Sequence, residues 1–130
     1  MKIELFYLAL VSAFTAILWL PYARDRIISC GLIYTVGYSK ELKPQSLWAQ
    51  RMMNAHKNAI ENLVIFAALV LVAHAAEITS STIATACVVY FWARILHAVV
   101  YTLGIPWVRT LAFATGFFAQ AVIAWQILFS

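Results

Sequence analysis

Apolar residues fall along this chain in four blocks, each at or near the length that crosses a bilayer. The first block, 3–22, has Glu4, Ser12 and Thr15 as its only clearly polar members before Pro21 and the charges of Arg24, Asp25 and Arg26. It predicts a retained helix, because the n-region is weak and no small-x-small cleavage site follows. The second block, Leu63 to Ala76, counts only 14 residues. About 30 Å of hydrocarbon needs about 20 residues at about 1.5 Å each, so this span is expected to reach back through Asn62, Glu61 and Asn58, giving 56–76. A polar turn, 77–82, leads to a third span over 83–103, interrupted by Arg94 and His97. Gly104 and Pro106 then predict a tight connection to a fourth span, 105–129, since Gly suits a helix end and Pro a first turn. Between the first two spans, 24–52 reads as an irregular or part-helical loop holding Gly31, Gly37 and Pro44. The expected fold is an all-α integral membrane protein, an up-down four-helix transmembrane bundle forming a single domain over 1–130.

Composition strengthens that picture: 65% of the residues are hydrophobic and 11% charged, far from the roughly half and quarter of soluble domains. With four spans filling the chain, no room remains for a soluble catalytic domain. The two cysteines, Cys30 and Cys87, can build neither a disulfide framework nor a CxxC metal pattern, so no metal is expected. The net charge is +4, and six of the nine Lys and Arg residues (Arg24, Arg26, Lys40, Lys43, Arg51, Lys57) lie between the first two apolar blocks. Basic residues beside spans are orientation signals, so the loop is expected to be cytoplasmic, both termini to lie on the opposite side, and no nucleic acid to bind.

The polar residues inside the spans gather toward the cytoplasmic end. Asn58 and Glu61 sit one turn to a turn and a half into the second span and Arg109 about one turn into the fourth, while Tyr101, His97 and Arg94 descend the third. Arg94, His97 and Tyr101 stand at i, i+3 and i+7; Asn58, Glu61 and Asn62 share a side of their helix; Arg109, Phe113, Gly116 and Gln120 form a stripe on theirs. Charged groups in a span cost several kcal/mol on insertion scales and normally face protein or a wet cavity, so three helices are expected to contribute to one buried polar site. The plainer reading is a Glu61–Arg94 ion pair with Asn58 and His97 as interhelical hydrogen-bonding groups. It leaves three basic groups, Lys57, Arg94 and Arg109, sharing one carboxylate, and an excess of positive charge in a half-buried site points to an anionic ligand. Lys57 has the alternative of reaching out to the interface, Tyr101 that of a membrane-interface tyrosine, and Trp48, Trp107 and Trp125 read as interfacial anchors.

These residues carry a resemblance. Ala55-His56-Lys57-Asn58-Ala59-Ile60-Glu61-Asn62, Arg94-Ile95-Leu96-His97, Tyr101, and Gly104-Ile105-Pro106-Trp107-Val108-Arg109-Thr110 resemble the MAPEG family, the membrane-associated proteins in eicosanoid and glutathione metabolism, most closely its bacterial members. The resemblance implies a homotrimer, in a bacterial inner membrane, that binds glutathione between neighbouring subunits near the cytoplasmic face. It also implies transferase or peroxidase chemistry on lipophilic electrophiles. Carried over by position, Asn58 and Glu61 would hold the glutathione backbone, Arg94, His97 and Tyr101 would line the site, and Lys57 and, more loosely, Arg24 would add basic contacts. Arg109 would stabilise the thiolate and Thr110 could add a hydrogen bond. Asn54 stands where several relatives have Arg, and Phe113 and Thr110 where the prostaglandin-E-forming branch has Tyr and Ser, which favours a general detoxifying transferase over an eicosanoid enzyme. Two other classes remain open: a non-catalytic membrane binding protein, and a small transporter component with Gln120 and Gln126 lining an axis.

Overall fold

The computed structural model describes residues 1–38 and 43–130, so the loop residue Lys40 lies outside the described residues. Its helices are α1 (Ile3–Ile17), α2 (Trp19–Cys30), α3 (Leu32–Val36), α4 (Leu47–Ala75), α5 (Ser81–Leu103) and α6 (Pro106–Leu128). Four helical runs are long and apolar enough to cross a membrane: Ile3–Cys30, α4, α5 and α6. The all-α four-helix expectation therefore holds, and no strand occurs among the described residues.

The boundaries differ from the sequence expectation at two places. Pro21 does not end the first helix. It lacks an N–H and its ring crowds the carbonyl four residues back, which is Ile17, and the helix breaks there. Leu18 keeps right-handed helical angles (φ −66°, ψ −18°) and its N–H turns to the Thr15 carbonyl at 3.4 Å. The chain then continues helically through Arg24, Asp25 and Arg26 to Gly31, whose φ of 90° ends it. The second correction is the start of α4, which begins at Leu47 rather than near 56. At 29 residues it is about 44 Å long and must project past about 30 Å of hydrocarbon.

The two projecting ends are clasped together. Ser46 donates to Asp25 from its backbone N–H (3.2 Å) and its hydroxyl (2.6 Å). Gln45 donates to the Tyr22 carbonyl and accepts from Arg26, both at 3.0 Å. Ser46 is the residue before α4, so its side chain serves the clasp instead of capping its own helix.

The central helix is α5, which packs against α1, α4 and α6. Half of its most apolar window is buried, against 22–28% for the other three runs. The main core lies in the half of the bundle away from the clasp: Val11, Phe66, Val70, Ile83, Cys87, Tyr90 and Ile123 interlock, with the Phe66 and Tyr90 rings stacked at 3.9 Å. In lipid such a core is held by close packing rather than by escape from water, and small residues let helices approach. Ala73, Ala86, Ala93, Ala112, Gly116 and Ala119 are the buried small residues of α4, α5 and α6 around it.

At the clasp end, α5 and α6 join by the predicted tight turn. Gly104 adopts the left-handed conformation (φ 78°), its N–H bonds the Tyr101 carbonyl (3.0 Å), and the Ile105 N–H bonds that of Val100 (2.9 Å). Pro106 opens α6, where its missing N–H costs nothing.

Candidate functional site

The residues picked out from sequence separate into three groups. The first is enclosed between helices. Arg94 and His97 are each only 2% exposed, and Arg94 Nη2 donates to Asn58 Oδ1 at 2.7 Å and to His97 Nδ1 at 3.4 Å. A guanidinium only donates, so Nδ1 of His97 is the acceptor in that contact. Asn62 donates to the carbonyl of Asn58 at 2.9 Å, and Gln120 donates to the carbonyl of Asn62 at 3.0 Å. One polar chain thus joins α6, α4 and α5. Nε of Arg94 and the hydroxyl of Tyr90 are buried and have no partner among the described residues.

The Glu61–Arg94 ion pair is not formed. Arg94 faces Asn58, while Glu61 is exposed on another side of α4. The reason is helical rotation: successive residues turn about 100°, so Glu61 stands about 100° from Asn62, the residue that faces α6. Arg94 and His97 line neither the cavity at the α5–α6 turn nor the groove on the outward side of α4; Arg94 reaches Asn58 of α4 and His97 packs near Phe113 of α6. Gln120 and Gln126 both have partners within the chain, Asn62 and Ser80.

The second group sits at the α5–α6 turn. Arg109 lies over the Tyr101 ring, Cζ 4.7 Å from its centroid, and Tyr101 meets the His97 ring edge-on at 5.5 Å. Such a cation–π contact contributes about 0.5–2 kcal/mol and fixes the guanidinium's direction. Both side chains line a cavity of about 150 Å³ with Arg51, Gly104, Ile105 and Pro106. No acidic residue is among those six. Thr110 is not part of this lining; its hydroxyl is exposed and donates to the Pro106 carbonyl at 3.2 Å.

The third group lies on the outward side of α4. Glu61 and Lys57 line an open groove of about 550 Å³ with Tyr22, Met53, Asn54, His56 and Ile60, where the Tyr22 hydroxyl and His56 Nδ1 are 2.7 Å apart. Arg24 is exposed on α2 and lines neither this groove nor the cavity at the turn.

Arg51 is the residue that sequence reasoning missed, having been counted only as a loop charge. It precedes Asn58 by seven residues, two helical turns, and so shares its face. Placing the helix start near 56 hid that spacing.

This is an integral membrane protein of the four-helix type, with an unneutralised cationic cavity beside the turn between its last two helices. The match of a family model to residues 5–129 of the 130-residue chain identifies it further: the chain belongs to the MAPEG family. Among curated proteins and among solved structures, neither comparison finds a match.

Proposed function

We propose that the protein is a membrane-bound glutathione transferase, able to act as a peroxidase through the same thiolate. The observation that carries this reading is the Arg109 guanidinium, held over Tyr101 and opening into a cavity whose lining contains no carboxylate. That environment suits an anion.

A free thiol with a pKa of about 8.5 is only a few per cent ionised at pH 7, and the thiolate is the nucleophile. Lowering the pKa by about two units takes roughly 2.7 kcal/mol of differential stabilisation. Arg109 supplies charge from the first turn of α6, where the helix dipole adds to it. The released proton passes to water at the open mouth. The sulfur then attacks an electrophilic carbon arriving laterally from the bilayer; a C–S bond forms, and its partner bond's electrons leave with the departing group or are protonated by water. With a hydroperoxide, the sulfur takes the terminal oxygen, the alcohol leaves, and a second glutathione displaces water to give the disulfide.

In this reading the groove carrying Glu61 and Lys57 holds the polar ends of the tripeptide and meets the Arg109 cavity of a neighbouring copy in a homotrimer. Exposure of Glu61, a carboxylate in a span, supports that placement, because such a group normally faces protein or a wet cavity. Asn58, Arg94 and His97 brace Tyr101 from inside, Arg24 flanks the mouth, and Thr110 is a bystander. The basic loop, and with it the site, faces the cytoplasm.

Titrating the detergent-purified protein with glutathione at neutral pH, while following thiolate absorbance in the ultraviolet, tests the proposal. A rising thiolate signal is expected. Binding without thiolate would mean a non-catalytic protein, and no binding would end the glutathione reading.

A further inference from the structure

The same cavity has a second cation whose role is unaccounted for. Arg51 projects from α4 against the backbone of the α5–α6 turn so closely that a Cβ built on Gly104 would lie 2.8 Å from its Cζ and 2.9 Å from its Nη1. No side chain larger than hydrogen fits there without moving the guanidinium. A purely structural arginine at a helix end would donate to the last carbonyls of that helix. Here the carbonyls of Val100 and Tyr101 accept from the N–H groups of Ile105 and Gly104, and Arg51 donates to neither. No hydrogen bond or ion pair of Arg51 occurs among the described residues, although its guanidinium carries five N–H donors. A half-buried cation with its donors free, facing the same cavity of about 150 Å³ as Arg109, is arranged for an anion and not for the fold. The cavity is smaller than the roughly 300–1,000 Å³ that encloses a drug-sized ligand, so it takes one end of a tripeptide and not the whole.

We propose that Arg51 shares with Arg109 the stabilisation of the bound thiolate, and that the missing side chain of Gly104, whose left-handed φ already favours glycine, leaves the Arg51 guanidinium room to reach the sulfur. This rests on the glutathione reading, which puts the sulfur at Arg109. Two guanidinium groups divide the charge compensation, and the sulfur sits between α4 and α6 at a point where the chain's own acidic groups do not compete.

The test is the pH midpoint of thiolate absorbance with saturating glutathione, in wild type, Arg51→Gln, Arg51→Lys and Gly104→Ala, all as full-length protein in detergent. Affinity for S-methylglutathione, which has no ionisable sulfur, is measured alongside. Arg51→Gln is expected to raise the midpoint by about one pH unit, a tenfold loss of thiolate stability, while S-methylglutathione binds within twofold of wild type. Arg51→Lys keeps the charge and should recover more than half of that shift. Gly104→Ala leaves Arg51 in the chain but displaces its guanidinium, and should raise the midpoint by at least about half a pH unit, a threefold fall in the acidity constant, even where Arg51→Gln fails to fold. A wild-type midpoint retained in Arg51→Gln or in Gly104→Ala overturns the proposal, as does a tenfold loss of S-methylglutathione affinity with the midpoint unmoved, which would make Arg51 a grip on another part of the ligand. If wild type forms no thiolate, the glutathione reading falls and takes this inference with it; if wild type forms thiolate and the variants match it, this inference falls alone.

Discussion

Arg94 shows why a buried cation in this bundle is held by an amide rather than by a carboxylate. Its Nη2 bond to Asn58 needs no second charge in lipid, and a hydrogen bond to a charged group is worth about 1.5–3 kcal/mol. Asn58→Leu should therefore cost about 2 kcal/mol in reversible unfolding, most of it from leaving the guanidinium unpaired. Adding Arg94→Met to that variant should restore part of the loss, because an apolar replacement of both partners removes the stranded group. Additive losses in the double variant would contradict this account. For the ligand, Arg109→Ala should diminish thiolate formation far more than glutathione affinity, and Glu61→Ala should chiefly weaken affinity. Calorimetry and thiolate absorbance together separate the two, and equal losses of both quantities in both variants would refute the assigned roles. Residue identities at this scale were legible: Asn58, Arg94, His97, Tyr101 and Arg109 all bear on one end of the bundle. Their pairing was not, since the choice between Asn58 and Glu61 as partner depends on which side of α4 meets α5, and spacing within one helix does not contain that angle.

Among the elements, two prolines behave oppositely. Pro106 starts a helix, while Pro21 is the third residue of α2, just past the break that separates α2 from α1. Sequence reading ended the first span at 22, before the charges of Arg24, Asp25 and Arg26. In a helix that leaves the bilayer, charges mark the water boundary and not the helix end. Likewise α4 begins at the Ser46–Leu47 junction, a local start signal that the search for an apolar stretch passed over. The clasp is testable: Ser46→Ala removes the 2.6 Å bond to Asp25 and should cost about 1 kcal/mol, with faster proteolysis of the 31–46 segment. An unchanged cleavage rate would show that α2 and α4 stay together without it. Gly116 offers a contrast with Gly104. A Cβ there would meet Arg94 Cδ, Tyr90 and Ala93 at 3.7–3.9 Å, ordinary contact distances, so Gly116→Ala should be neutral or slightly stabilising in thermal unfolding.

As a whole molecule, one chain offers a cationic cavity at the turn and an acidic-and-basic groove on the outer side of α4. Four spans and their order could be read from hydropathy because bilayer thickness leaves few choices for apolar blocks of this length. The separation of the site into two outward-facing parts could not, since it depends on helix rotation about the bundle. Native mass spectrometry of the detergent-solubilised protein should give three copies of the 14.6 kDa chain. A monomer that still forms glutathione thiolate would contradict the placement of the ligand between copies.

On the proposed function the protein must also survive the electrophiles that it handles, and here the packing of α5 matters. Cys87 is fully enclosed in the apolar core, whereas Cys30 is only partly covered at the end of α2. Of the chain's two thiols, one is thus shielded by the same interlocked side chains that hold the bundle together. Alkylating reagents should mark Cys30 alone in the folded protein and reach Cys87 only on unfolding. Self-inactivation by a reactive substrate then becomes a measure of how tightly the helices are closed.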